Sequence, residues 1–484
     1  MVHGLADLLE DLEQAGELVR IEAEVDPLLE VAEITDRAAE AGAGALLFGS
    51  VRGHDLPVLT NLLAHPRRIC RALGAGGLDE LTLRVAEAVS PTQPEGWLER
   101  LKSLPGRTSL KGLAPRTVKS GVCQQVVRLG GDVDLGRLPA LKSRPDEAAP
   151  AITAGQVVSL EPDSDQRLVG RYDLQLLDRN RLAVCWDPTD EHARLLGQYC
   201  RRPERMPLAV VLGGDPAALL AAMAPLPPGA DAWAVAGLLH GKPMELVAGR
   251  SVDLAVPADA EIVLEGYVDP AEPPAEAGPL CTPAGYYTRP RPVPVMHVTG
   301  LTHRANPIYP AMVPGPPPNE ITVAQRALLQ IFLPLVRMAI PELIDCDLPQ
   351  FGAARHWAFV SIRKTYAGQA RQIAGAVWAL RPTMFGKVLV VVDEHVDVHD
   401  AEEVWYAVAA GADPGRDVFF AEGPPDPLDP AAPPEALGRR MAIDATIKLP
   451  EERRGPAAEP ALTSEETRQL VAGRWAEYGI GRQT

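Results

Sequence analysis

Four residues with ligand chemistry crowd one turn after Trp186: Asp187, Asp190, Glu191 and His192. Hard carboxylate oxygens with one imidazole suit Mg2+ or Mn2+. The same run also reads as a turn entering a helix whose first residues are acidic because they face its positive end. Glu245 stands in Met-Glu-Leu-Val-Ala, an apolar, strand-like run. Buried, it needs a cation or several N–H donors to stay ionised; on an exposed strand it needs neither. A histidine pair, His395 and His399, follows the apolar stretch 388–392 in an acidic run. Loops after parallel strands often carry function, and solvated turns look the same in sequence. The chain contains no GxSxG elbow, HExxH, P-loop or strand-borne GxGxxG, so spacing alone names no reaction.

The elements that must position these residues change texture along the chain. Leu5, Leu8, Leu9 and Leu12 share one helical face and Gly16 follows as a C-terminal stop, which predicts an opening amphipathic helix. Strands are predicted at 18–21, 45–48 and 57–61, with a helix over 30–41. From about 120 to 310 short β-rich runs dominate, at 124–129, 155–160, 181–184, 208–212 and 261–268, interrupted by helices at 191–200 and 216–223. That texture reads as a β-barrel or folded sheet. The last third returns to alternating strands and helices: 388–392 is a buried strand, Asp400 and Glu403 form a capping box, and a final helix from Thr463 aligns Val471, Trp475 and Tyr478. The Pro/Ala-rich stretch 423–435 reads as a loop. The domain division expected is 1–115, an α/β domain; 116–310, the barrel; 311–345, a linker; and 346–484, an α/β domain with a terminal helix that needs a docking surface.

With 484 residues, 46% of them hydrophobic and 23% charged, the chain is long enough for several cores and ordinary for a globular protein. A formal net charge of -17 without a basic run argues against nucleic acid or an anionic membrane as partner. Six scattered cysteines make no disulfide framework or CxxC site, which points to a reducing cytosol. The acidic N-terminus lacks the layout of a signal peptide, and no stretch reaches 18 apolar residues. Proline, at 48 residues, is about twice its average usage and implies many rigid loops.

Several runs together resemble one family along nearly the whole chain. They are 12–21 with Val25-Asp26-Pro27, Ala45 to Phe48, Asp132 to Leu135 with Leu138-Pro139, Val256-Pro257, Ala260 to Tyr267, Gly285 to Tyr287, Lys364 to Ala370, and Asp444 to Thr446. The chain is similar to the UbiD-like decarboxylases, in flavour nearest to members acting on 4-hydroxybenzoate-type or dihydroxynaphthoate acids in quinone biosynthesis. The resemblance implies an N-terminal α/β domain, a central split β-barrel of the flavin-binding type that holds prenylated FMN with Mn2+, and a C-terminal α/β domain that makes dimers or larger homo-oligomers.

The motifs that serve the family's chemistry are substituted. Its Asn-x-Gly-x-Tyr-Arg becomes Leu168-Val-Gly-Arg-Tyr-Asp173: leucine cannot take the metal, and Asp173 repels the carboxylate that an arginine would grip. Arg171 lies on the same strand face as Asp173, about 7 Å away, and still offers a guanidinium. The family's Arg-Trp pair, metal-binding His and phosphate-facing Arg fall on Cys185-Trp186, Thr189 and Asp190, with His192 three residues late. Its Glu-Gly-Pro-x-Gly-Asp/Glu becomes Ala277-Gly-Pro-Leu-Cys-Thr282, without either carboxylate. By the resemblance Glu245 is the remaining metal ligand and Lys387 stands on the phosphate side. The expected catalytic residues are Asp173, His192 and Thr282, with Asp173 or His192 carrying the proton; the expected cofactor-side residues are Arg171, Tyr172, Trp186 and Lys387.

Three functions follow as expectations. The first is a non-catalytic paralogue or subunit without a cofactor, as a homo-oligomer or paired with an active homologue. The second is a carboxy-lyase on a small aromatic acid that works without prenylated FMN. The third is an ordinary prenylated-FMN decarboxylase.

Overall fold

The computed structural model describes residues 4–89, 113–164, 166–353, 355–380, 386–432, 437–453, 455, 461 and 463–479. The opening helix Leu5–Gln14 buries the four leucines of its apolar face, and Gly16, at φ 71°, takes the left-handed turn that ends it. Strands Leu18–Ile21 and Ala45–Phe48 pair in parallel around the helix Glu30–Glu40, and Val58–Thr60 returns antiparallel. Tyr309–Pro310 completes this sheet against Val58 and Leu59, so the chain comes back to the N-terminal sheet after the barrel.

The centre is a closed antiparallel barrel of six strands. Their order is Ile262–Val268, Met206–Leu212, Ala151–Leu160, Arg167–Leu176, Arg181–Val184 and Val295–His303, and the last pairs back onto the first. Side chains alternate across the wall as strand geometry requires. Leu208, Val210 and Leu212 join one core with Val157 and Leu264, while Ala209, Val211 and Val263 join another with the N-terminal helices. Glu265, fully buried in this wall, receives N–H groups from Arg250, Ser251 and Val252 at 2.7, 2.6 and 3.3 Å, so its charge is met by backbone donors.

The stretch 311–345, expected as a linker, carries two helices instead. Glu320–Ile331 is capped by Asn319 and Thr322, and Leu333–Ala339 follows at a 57° bend. Val323, Ala324 and Leu328 pack into the N-terminal core while Leu329 and Leu333 enter that of the C-terminal sheet. No single helix among the described residues is long and apolar enough to cross a membrane; this bent pair alone has the combined length.

The C-terminal sheet runs Leu343–Asp347, Trp357–Ile362, Val388–Asp393, Gly438–Asp444 and Val418–Gly423, parallel in its middle and antiparallel at both edges. Asp400 caps the helix Ala401–Gly411 by accepting the N–H groups of Glu402 and Glu403. The final helix is Glu465–Gly473, capped by Ser464 rather than Thr463. Trp475 to Tyr478 form a separate 3-10 turn, so the expected apolar stripe is broken.

Candidate functional site

A cavity of about 710 Å3 opens between the barrel mouth and the C-terminal domain. Strand Arg167–Leu176 sends Arg171, Tyr172 and Asp173 into it, the loop 277–289 closes one side, and the proline-rich run 425–432 closes another. Three segments singled out in sequence therefore meet here, because the barrel brings 171–173, 185–190 and 277–282 to one rim.

Alternation along the strand puts Arg171 and Asp173 side by side, as predicted. The Arg171 guanidinium donates to Asp173 at 2.5 Å and to the Thr153 carbonyl at 2.8 and 2.5 Å. Burial raises the Asp173 carboxyl above its usual range, and Arg171 opposes that rise. Thr282 is buried on the cavity wall, its hydroxyl accepting the Tyr286 N–H at 3.3 Å. Cys281 beside it donates its N–H to Glu147, and burial pushes its thiol up to about 11.

Behind the rim, Tyr172, Trp186 and His192 pack on one another with Leu168 in the same core. His192 stacks on the Trp186 indole at a ring separation of 5.5 Å, and its Nδ1 is 3.2 Å from the Tyr172 hydroxyl. Burial drives the imidazole down to about 3, so at neutral pH it is uncharged. Nε1 of Trp186 and Nε2 of His192 are buried with no hydrogen-bond partner. The ring is then the neutral imidazole, with one N–H and no positive charge, held in the aromatic stack.

The acidic run splits up. Asp190 precedes the helix Glu191–Tyr199 and accepts the Asp187 N–H at 2.7 Å, so the turn-and-helix reading describes the backbone. Asp187 turns to Arg291 at 2.8 Å, while His192 points into the aromatic cluster. Burial pushes Asp190 up to about 6, helped by the charge of Asp187. Among the described residues no group of three or more His, Cys, Asp or Glu is arranged to hold a metal ion.

Two expected site residues lie elsewhere. Glu245 begins the strand Glu245–Ala248 on its exposed face and pairs with Arg116 at 2.6 Å, outside the cavity. Lys387 lines a neighbouring hollow of about 580 Å3, bonded to Asp429 at 2.7 Å. His399 is held between Asp345 and Asp347, whose hydrogen bonds raise it to about 10; this charged tie joins the loop after Val388–Asp393 to strand Leu343–Asp347. Spacing gave no signal for Arg289, Arg291, Gln325, Arg355 or Asp426, which reach the cavity from distant segments. Arg355 holds Asp426 by two bonds of 2.9 and 2.8 Å.

A closed six-stranded barrel between two α/β domains, with its cavity where barrel and C-terminal domain meet, is the architecture of the flavin-using carboxy-lyases. The chain belongs to the UbiD-like family. Residues 9–88, 116–317 and 322–445 match the N-terminal, Rift-related and C-terminal domains of 3-octaprenyl-4-hydroxybenzoate carboxy-lyase. An uncharacterised protein of Aquifex aeolicus is 40% identical over 481 residues, 98% of each chain. The UbiD-class enzyme HmfF of Pelotomaculum thermopropionicum, in complex with FMN, is 31% identical over 95% of this chain and 98% of that one, with a TM-score of 0.77. Vanillic acid decarboxylase of Sedimentibacter hydroxybenzoicus in its closed form is 25% identical over 99% of this chain and 100% of that one, with a TM-score of 0.88; its open form gives 0.78.

Proposed function

We propose that this chain is a non-catalytic paralogue or subunit of the decarboxylase family, in which the protein's own side chains fill the places of metal and cofactor phosphate. One observation carries the reading: Arg171, Arg291, Arg355 and Lys387 are bonded to Asp173, Asp187, Asp426 and Asp429 respectively. A phosphate that used Arg171, Arg291 or Arg355 in the cavity, or Lys387 in the hollow beside it, would have to displace a carboxylate; Arg289 alone of the cavity's cations carries no such partner among the described residues. The donor set does not fit Mn2+ with prenylated FMN either. Leu168 has no donor atom, Glu245 faces solvent beside Arg116, His192 is buried in an aromatic stack, and Asp190 repels a phosphate.

The closed form of the vanillic acid decarboxylase fits better than its open form, so we read the chain as a closed conformer. The terminal helix leaves Leu470 exposed and the 3-10 turn after it leaves Tyr478 exposed, which supports a homodimer, a larger homo-oligomer or pairing with an active homologue. The six cysteines are unpaired, in keeping with a reducing cytosol. The test is turnover: supplied with prenylated FMN, Mn2+ and 4-hydroxybenzoate, the purified protein should release no CO2 while an active homologue assayed beside it does. Cofactor-dependent release contradicts the reading.

A second reading is favoured by the survival of the cavity. It keeps Asp190 with a carboxyl near 6, in the range of a general acid, and Arg289, for which no partner exists among the described residues. These groups fit a carboxy-lyase that takes a small aromatic acid without prenylated FMN. Flavin-independent CO2 release, abolished in Asp173→Asn or Asp190→Asn, would establish it.

A further inference from the structure

The charges around the cavity form two halves. On the barrel side Arg291 donates to Asp187, and also to the carbonyls of Trp186 and Cys185 at 2.8 and 3.3 Å. Asp190 stands beside Asp187, its carboxylate holding the Asp187 N–H. On the C-terminal side Arg355 holds Asp426, which belongs to the proline-rich run over the cavity. All five side chains line the one cavity. Burial opposes the charge on Arg355, yet its pKa is raised, because the bond to Asp426 and then the charges of Asp426, Asp187 and Asp190 outweigh burial. Arg355 shares one cavity with the carboxylate it is bonded to and with two presented by the barrel.

Two adjacent carboxylates offer about the charge of a phosphate dianion, with oxygens rather than a ligand as acceptors. Arg291 keeps two carbonyl bonds whether or not Asp187 is charged, so the barrel half does not depend on the acids for its shape. Removing the acids would change what Arg355 meets across the gap.

We propose that Asp187 and Asp190 act as a built-in anion facing Arg355 across the cavity, in the place a bound anionic ligand would take, and that this attraction holds the C-terminal domain against the barrel mouth. The inference rests on the reading that no phosphate-bearing cofactor occupies the cavity. It makes the closed arrangement intrinsic to the chain instead of ligand-driven, since an attraction can hold a conformation only through what it gains there over the alternative.

The test uses the full chain with Asp187→Asn and Asp190→Asn together, which keep side-chain shape and an acceptor for the Asp187 N–H. Small-angle scattering at equal oligomeric mass should give a larger radius of gyration than wild type. Millimolar inorganic pyrophosphate should return the variant to wild-type compactness while leaving wild type unchanged. A variant as compact as wild type overturns the proposal, and so does an expanded variant that pyrophosphate does not contract. Should the double variant fail to fold, Asp190→Asn alone decides by the same two measurements. The underlying reading fails separately: wild type that carries bound prenylated FMN removes it, whereas a colourless protein whose folded variant stays compact sinks only the built-in anion.

Discussion

One strand carries two regions governed by different physics. Arg167–Leu176 sends Leu174, fully buried, into the barrel core, and one residue earlier sends Asp173 into the cavity. The wall is held by apolar burial that many neighbours share, so each position is constrained by all the others. The rim is held by pairs, Arg171 with Asp173 and Arg291 with Asp187, and each pair can be exchanged while the wall stays intact. That contrast lets framework signatures persist where rim residues change. Substitution at the rim is tolerated when each new charge finds a partner within the chain.

The comparison is broken most forcefully from the wall side. Leu264→Ala, at a fully buried barrel position, should cost about 2–5 kcal/mol in denaturant unfolding. A loss under about 1 kcal/mol would mean that the wall is not the constrained region. Glu320, buried at the junction of the N-terminal core and the middle helix, gives the next effect. Burial raises its carboxyl from 4.5 to about 7, although the Leu63 N–H and Arg68 oppose the rise. The folded state thus binds the proton more tightly. This contribution is complete below about pH 4.5 and is lost as pH rises to about 7, a span worth roughly 3 kcal/mol. Glu320→Gln should flatten that slope in thermal unfolding measured from pH 5 to 8; an unchanged slope would assign it to other groups. The smallest effect belongs to the rim. Asp173→Asn leaves Arg171 its two bonds to the Thr153 carbonyl and should cost about 1 kcal/mol or less. A loss matching that of Leu264→Ala would erase the distinction between the regions.

Sequence made the wall easier to read than the rim. Strands such as Met206–Leu212 and Ile262–Val268 announce themselves because buried apolar positions crowd them, and the leucine face of the first helix follows from its 3.6 period. Arg167–Leu176, among the longest barrel strands, was read as strand only at Arg171 and Asp173, although polar and apolar residues alternate from Arg171 to Leu176. The helices of 311–345 escaped because Glu320–Ile331 is buried on several faces and shows no single stripe. Glu245 was read correctly as strand, yet no local spacing could say that the strand turns it to solvent beside Arg116. Arg291, Arg355 and Asp426 are placed by topology across more than 130 residues, and the run 423–435, read as a loop, proves to carry part of the cavity wall. Leu168, Asp173 and Thr282 were singled out in sequence; what the structure adds is that Asp173 is bonded to Arg171 and Asp187 to Arg291.

The chain's own carboxylates are proposed to occupy Arg171, Arg291 and Arg355 at the cavity. A UV-visible spectrum with native mass, taken on full-length protein purified after co-expression with the prenyltransferase that makes the cofactor and with manganese, tests it most directly. The account predicts a colourless protein whose mass equals that of the polypeptide oligomer alone. A flavin absorption band, with added mass matching one prenylated FMN per chain, would contradict it.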